Sequence, residues 1–182
     1  MKRLIATIAA ALCFAAPHAA WAQKGAAGAA TVGQQGSGDD VVSFAAEDAE
    51  MNAAMDEARR TLPMFMAEFN AAPAHAQGNY SVKVGMTTRA GTLEHIWVAN
   101  LRRENGRLRG ALANEPYDLE GLRLGDLVDI DESAISDWAI ESARGQYGSF
   151  TTRVIVNHID AATADQIRAT LAPTPLPPHW VS

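Results

Sequence analysis

Cysteine is almost missing from this chain: the single one, Cys13, lies inside an N-terminal apolar run. Once that run is set aside, no disulfide, thiolate nucleophile or thiolate metal ligand is available. Lysine is nearly as scarce, with only Lys2, Lys24 and Lys83 present; every other basic residue is an arginine, whose planar guanidinium suits bidentate pairing with carboxylates or phosphates. Positive charge is also in deficit, 15 Lys and Arg against 21 Asp and Glu for a net −6, which argues against nucleic acid as a partner. No apolar run approaches the roughly 20 residues of a membrane span. The G-x-S-x-G nucleophile elbow, the Gly-rich phosphate loop ending in Lys-Ser/Thr, G-x-G-x-x-G and H-E-x-x-H are all lacking, so serine-hydrolase, nucleotide-binding and zinc-protease readings have no support. The histidines at 75, 95, 158 and 179 show no metal-ligand spacing, and the sequence implies neither a metal nor a cofactor.

What is present starts with an address. Lys2 and Arg3 precede the apolar run Leu4 to Ala16 and the small-residue site Ala20-Trp21-Ala22, the order of a secretory signal peptide removed after Ala22. Leu12 precedes Cys13, where lipoprotein processing needs a small residue, so lipid anchoring is not expected. The mature chain is expected to be periplasmic or secreted, with no transmembrane segment, and loss of Lys2 and Arg3 takes its net charge from −6 to −8. Residues 23–42, rich in Gly, Ala, Gln and Ser, read as a flexible tether. Residues 43–172 form one domain of ordinary size, and residues 173–182 a Pro-rich tail that lies over the surface or hangs free.

Within the domain, Met51, Met55, Ala58 and Leu62 mark one apolar helix face, predicting a helix over about 46–60. Pro63 predicts a break, with Thr61 capping a short second helix that carries Phe65, Met66 and Phe69. Tyr80, Val82, Val84 and Met86 alternate with polar or small residues as in a half-buried strand. Asn105-Gly106 between two strand-like runs predicts a hairpin. Setting Glu104 opposite Arg107 pairs Arg103 with Leu108, Arg102 with Arg109, Leu101 with Gly110 and Ala99 with Leu112. One face then holds Trp97, Ala99, Leu101, Leu108 and Leu112, and the other holds Ile96, Val98, Arg102, Arg107 and Arg109.

Leu127 to Ile130 reads as a short strand, and two more are predicted around Trp138 and across Phe150 to Val156, although ISDWAI and GQYGSFT also suit helical turns. Asp160 caps a last helix whose Ala164, Ile167 and Leu171 share a face. The expected fold class is α+β: a twisted antiparallel sheet of four to six strands with N-terminal helices and one C-terminal helix packed on it.

Several segments taken together, ARRTLPMF at 58–65, EHIWV at 94–98, LANEP at 112–116, GLRLGD at 121–126, ISDW at 135–138 and YGSFTTRVI at 147–155, resemble the YegJ-like family of small bacterial proteins. That family is a domain of unknown function. The resemblance covers about residues 50–157 and leaves out the tether, the tail and the last helix. It implies kinship and no activity.

Candidate chemistry sits in four places. Arg102 and Arg109 face each other across the hairpin beside Arg107, a like-charge pairing that needs compensation. Glu94, Glu104 or the acidic stretch 118–132 can supply it, or else the arginines await a carboxylate or phosphate on a partner. Glu94 and His95 are an acid/base candidate, with a hydrogen-bonded histidine at the core edge as the plain alternative. Asn114-Glu115-Pro116, Asp137-Trp138 and Arg153 mix polar groups with rigid or aromatic ones, as binding loops do and as turn-orienting groups also do. Asp129, Asp131 and Glu132 resemble a hard-cation cluster but lack a glycine-centred ligand loop.

These features predict an exported, non-enzymatic module that binds a protein or another cell-envelope component. An inhibitor or immunity role is one form that the acidic charge permits. The alternative is a periplasmic hydrolase that uses His95 with Glu94, Glu115 or Asp137.

Overall fold

The computed structural model describes residues 49–181, together with the backbone of two short strands, β1 (Ile5–Ile8) and β2 (Val42–Ala45). The predicted leader and tether otherwise lie outside the described residues. β1 and β2 run antiparallel to each other, and Ile8 of β1 sits opposite His95. The remaining elements are α1 (Ala49–Ala71), β3 (Tyr80–Thr87), β4 (Leu93–Glu104), β5 (Arg107–Leu112), β6 (Leu127–Ile130), β7 (Ile135–Ile140), β8 (Tyr147–Gly148), α2 (Phe150–Ile155) and α3 (Ala161–Thr170). Strands β3 to β8 form an antiparallel sheet in the spatial order β6-β5-β4-β3-β7-β8. The fold is therefore α+β.

The two helices expected around Pro63 are one, α1, which carries Pro63 in its interior. Packing outweighs the local cost of proline here. Ala58, Thr61, Phe65 and Phe69 are at most 1% exposed, and burying a phenylalanine side chain stabilises by roughly 1.5–3 kcal/mol, so two of them offset the roughly 3 kcal/mol a helical proline costs. Thr61 is not a cap. Its hydroxyl donates to the carbonyls of Glu57 and Ala58 at 2.9 and 3.1 Å and accepts from Trp138 Nε1 at 3.0 Å. Trp138, wholly buried, also donates to Ala58 O at 3.1 Å and stacks on Phe65 with centroids 5.4 Å apart. These contacts join the helix to the sheet.

The hairpin forms at Asn105-Gly106, both with positive φ (51° and 79°). Glu104–Arg107, Arg103–Leu108 and Arg102–Arg109 pair as expected. Beyond Arg102 the register shifts: Ala99 lies opposite Ala111 and Val98 opposite Leu112, with Asn100 at φ 52° in the irregular stretch. This bulge reverses which side chains face the core. Ile96 and Val98 join Leu101, Leu108 and Leu112 in the main core cluster, and Trp97 is buried outside it. The face predicted for Trp97 is thus corrected by one extra residue. Gly110 makes the bulge possible, because a Cβ there would lie 2.6 Å from Val98 Cγ1 and 2.7 Å from Ala99 O.

The strand expected across Phe150 to Val156 is instead helix α2, preceded by the two-residue strand β8 and Ser149 at φ 53°. Asp137 decides this from across the sheet: Oδ1 accepts from Phe150 N at 3.2 Å and Oδ2 from Thr151 N at 2.8 Å, satisfying first-turn donors that no neighbouring residue reaches. Asp160 caps α3 as expected, accepting from Thr163 N at 3.0 Å. The tail is docked. Gly148 N donates to Pro175 O at 2.6 Å, and Trp180 lies on Trp138 with centroids 5.1 Å apart.

Candidate functional site

The side chains of β3 that alternate with its core-facing set build a second, polar interior. Lys83 is fully buried opposite Asp137, which is also fully buried. Lys83 Nζ donates to Thr151 Oγ1 at 2.8 Å, and that hydroxyl donates to Asp137 Oδ2 at 2.6 Å. A hydroxyl therefore relays between ammonium and carboxylate. Asp137 Oδ1 also accepts from Trp138 N at 2.8 Å, and Lys83 Nζ stands 5.0 Å from the Trp97 ring centroid, in cation–π range. Burial pushes the Lys83 ammonium down to about 8, opposed by the charge of Asp137. Burial likewise pushes the Asp137 carboxyl above its ordinary range, opposed by Lys83 and by the hydrogen bonds from Thr151 and Trp138.

His95 borders this network. Its Nδ1 is 2.8 Å from Ser136 Oγ, which itself donates to Lys83 O at 3.3 Å. Burial first, then the positive charges of Lys83 and Arg59, push the imidazole down to about 4, so it is neutral at physiological pH. Among the described hydrogen bonds, none joins His95 to Glu94, Glu115 or Asp137. Glu94, 4% exposed, accepts from Tyr117 N at 2.7 Å and Asp118 N at 2.8 Å. Asn114 accepts from Trp97 N at 3.1 Å, and Glu115 accepts from Leu124 N at 3.2 Å. Glu94 and Asn114 fasten loop 113–126 to strand β4, and Glu115 braces the loop internally.

Arg153 serves the other end of the domain, donating from Nε to Gly148 O at 2.9 Å and from Nη2 to Gln146 O at 3.2 Å and Ala172 O at 3.0 Å. Burial lowers its pKa, with Asp137 opposing. Asp137, Trp138 and Arg153 thus organise α2, β8 and the tail, while Asn114 and Glu115 hold a different loop.

The hairpin arginines are compensated inside the fold. Arg102 Nε is 2.6 Å from Glu104 Oε1. Arg109 reaches Glu104 Oε2 at 3.0 Å and Asp129 Oδ1 at 2.7 Å, and Arg107 reaches Asp129 Oδ2 at 3.3 Å. The Nε groups of Arg102 and Arg109 are close to these oxygens but misdirected for hydrogen bonding, so the hydrogen bonds of the lattice come from single Nη1 donors, Arg109 to Glu104 and Arg107 to Asp129, and none is bidentate. Hydrogen bonding from Arg109 is the main cause that holds the Glu104 carboxyl below its ordinary range. The acidic stretch is likewise committed: Glu132 pairs with Arg103 at 2.9 Å, and Asp131 accepts from Ser133 N and Oγ at 2.9 and 2.7 Å. Among the described residues no group of three His, Cys, Asp or Glu is placed to hold a metal ion.

Lys83, Ser136 and Thr151 belong to the polar interior; Ser136 and Thr151 fall within the ISDW and YGSFTTRVI segments, but nothing in either segment marks them as polar-interior groups. The one sequence signal was Lys83 itself, a rare lysine at a strand position flanked by core valines.

Fold and site together define a small α+β domain whose polar interior ties helix α2 to the sheet. The chain belongs to the bacterial family described as "Uncharacterized protein conserved in bacteria (DUF2314)", which matches residues 48–171. It is similar to "Uncharacterized protein YegJ" of Escherichia coli (strain K12), 26% identical over 133 residues that span 73% of this chain and 84% of the relative. No solved structure matches it. No helix among the described residues is long and apolar enough to cross a membrane.

Proposed function

We propose that this chain is an exported, non-enzymatic module that binds a protein or another component of the cell envelope. The observation that carries the reading is the commitment of the acid/base groups. Glu94 is taken up by two loop amides, Asp137 by the start of α2, and His95 by a buried serine. A general base must reach a substrate proton, and these groups face the protein instead. The surface supports binding through loop 113–126 and the strand that follows, where Tyr117, Leu124 and Leu127 are 78%, 58% and 49% exposed. A large aromatic on a loop whose amides are anchored to a buried carboxylate is preorganised, which lowers the ordering cost of an interface.

Export is tested by fractionating cells and sequencing the mature N-terminus; a chain found in the cytoplasm with residues 1–22 intact overturns it. Binding is tested by crosslinking the purified chain to envelope fractions, with Tyr117→Ala and Leu124→Ser expected to abolish a wild-type adduct while the circular dichroism spectrum is kept. The hydrolase alternative, His95 working with Glu94, Glu115 or Asp137, is tested by turnover: hydrolysis of an envelope ester or amide by the wild type, lost in His95→Gln, would establish it in place of the binding reading.

A further inference from the structure

A cleft of about 520 Å³ opens between the β7–β8 turn and the docked tail, walled by Tyr80, Ile140, Tyr147 and Pro177 and bordered by Glu68, Glu141 and Arg144. Glu68 is already occupied, accepting from Tyr80 Oη at 3.3 Å, His179 Nε2 at 2.8 Å and Trp180 Nε1 at 2.7 Å. Glu141 is not. Its backbone is fixed by Glu141 N donating to Asn79 O at 2.8 Å, its side chain is half-buried, and burial alone raises its carboxyl, with no cation or donor to offset it.

Arg144 is its counterpart. Most arginines among the described residues have a carboxylate or carbonyl partner, whereas the Arg144 guanidinium has none. The turn that carries both is pinned, because Ser142 Oγ accepts from Arg144 N at 3.1 Å and donates to Gly145 O at 2.7 Å. Two opposite charges three residues apart therefore border one cleft without pairing with each other.

We propose that this cleft binds a small zwitterion of the amino-acid type, with Glu141 holding its ammonium, Arg144 its carboxylate, and the tyrosines and Pro177 receiving an apolar side chain. Arginine suits the carboxylate because its fork makes two parallel hydrogen bonds. A half-buried carboxylate without a cation of its own, in a cleft that Tyr80 and Tyr147 also line, suits the ammonium. This site is separate from the Tyr117 loop and does not depend on the envelope-binding reading.

Amide chemical-shift titration of the full chain tests it with four probes: L-phenylalanine, glycyl-phenylalanine, phenethylamine and 3-phenylpropionate. Phenylalanine is expected to shift residues 141–148 and 177–179, with Glu141→Gln and Arg144→Gln each weakening it about tenfold or more. The single-charge probes should bind correspondingly weaker. Binding of the dipeptide instead, with the same dependence on Glu141 and Arg144, would identify a peptide with both termini free as the source. Three results overturn the proposal: no shift from either zwitterion up to about 10 mM, equal affinity in wild type and both variants, or phenethylamine binding as tightly as phenylalanine.

Discussion

The Lys83 network and the arginine hairpin both consist of opposite charges brought together across strands, but one lies in the interior and the other at the surface. Around Lys83 each donor has one acceptor, and water cannot replace either. At the hairpin, Arg102, Arg107 and Arg109 share Glu104 and Asp129, with side chains a third to three-quarters exposed, so solvent screens the pairs even though the Nε atoms of Arg102 and Arg109 stay shielded and without a hydrogen bond. Burial, rather than the number of ion pairs, decides which region the fold depends on. The same contrast explains why compensated surface arginines are a weak sign of a binding site. Like charges placed opposite each other by the hairpin register found their counter-ions within the same sheet.

The contrast breaks most visibly at Asp137. Asp137→Ala leaves the Phe150, Thr151 and Trp138 amides without their acceptor and Lys83 without its counter-charge, and is expected to destabilise by about 3–5 kcal/mol in urea denaturation. A loss below about 1 kcal/mol would show that the interior network matters no more than a surface pair.

His95 sharpens the comparison through pH. Its imidazole takes up a proton near 6.5 when unfolded and only near 4 when folded. Between those values the unfolded state holds more protons, so the His95 contribution to stability falls as pH drops through that window and is fully lost below it. The loss is at most about 3 kcal/mol. Denaturation midpoints from pH 7 to pH 4 should show it, and His95→Gln should flatten the slope across the window.

Smaller again is the expected effect of Gly110→Ala. The added methyl meets Val98 and the Ala99 carbonyl, and relief of that overlap is expected to cost about 1–3 kcal/mol, read as a lower thermal midpoint with the hairpin amides exchanging faster. Least of all is Arg107→Gln, whose side chain is 76% exposed. The denaturation midpoint should stay unchanged within error, with any residual difference disappearing as salt is raised.

Local pattern alone revealed a good deal of this architecture. The alternation of Tyr80, Val82, Val84 and Met86, the Asn105-Gly106 turn and the Asp160 cap are short-range signals, and each element formed where its signal lay. Where the structure departs from local pattern the cause is shared: the neighbours of Pro63, of Phe150 to Val156 and of Trp97 predict one conformation, and residues on other elements impose another, Trp138 for the first, Asp137 for the second, and the bulge accommodated by Gly110 for the third. The site followed the same division. Arg102 opposite Arg109 was readable from hairpin pairing, whereas Ser136 and Thr151 carry no signal, because a lone hydroxyl gains meaning only from the lysine, histidine or aspartate that folding sets beside it.

Sequence by itself determined the composition, the α+β class, the hairpin tip and the kinship with an uncharacterised bacterial family, since these follow from residue type and from spacings of a few positions. Tertiary structure alone decided that α1 runs through its proline, that β4 turns Trp97 away from the main core, and that Glu141 and Arg144 border one cleft without pairing. The first two depend on a bulky group meeting its complement on another strand, Trp138 for α1 and Gly110 for β4, and the third on a turn and a tail that only folding brings together; neighbours in the chain carry no information about such contacts.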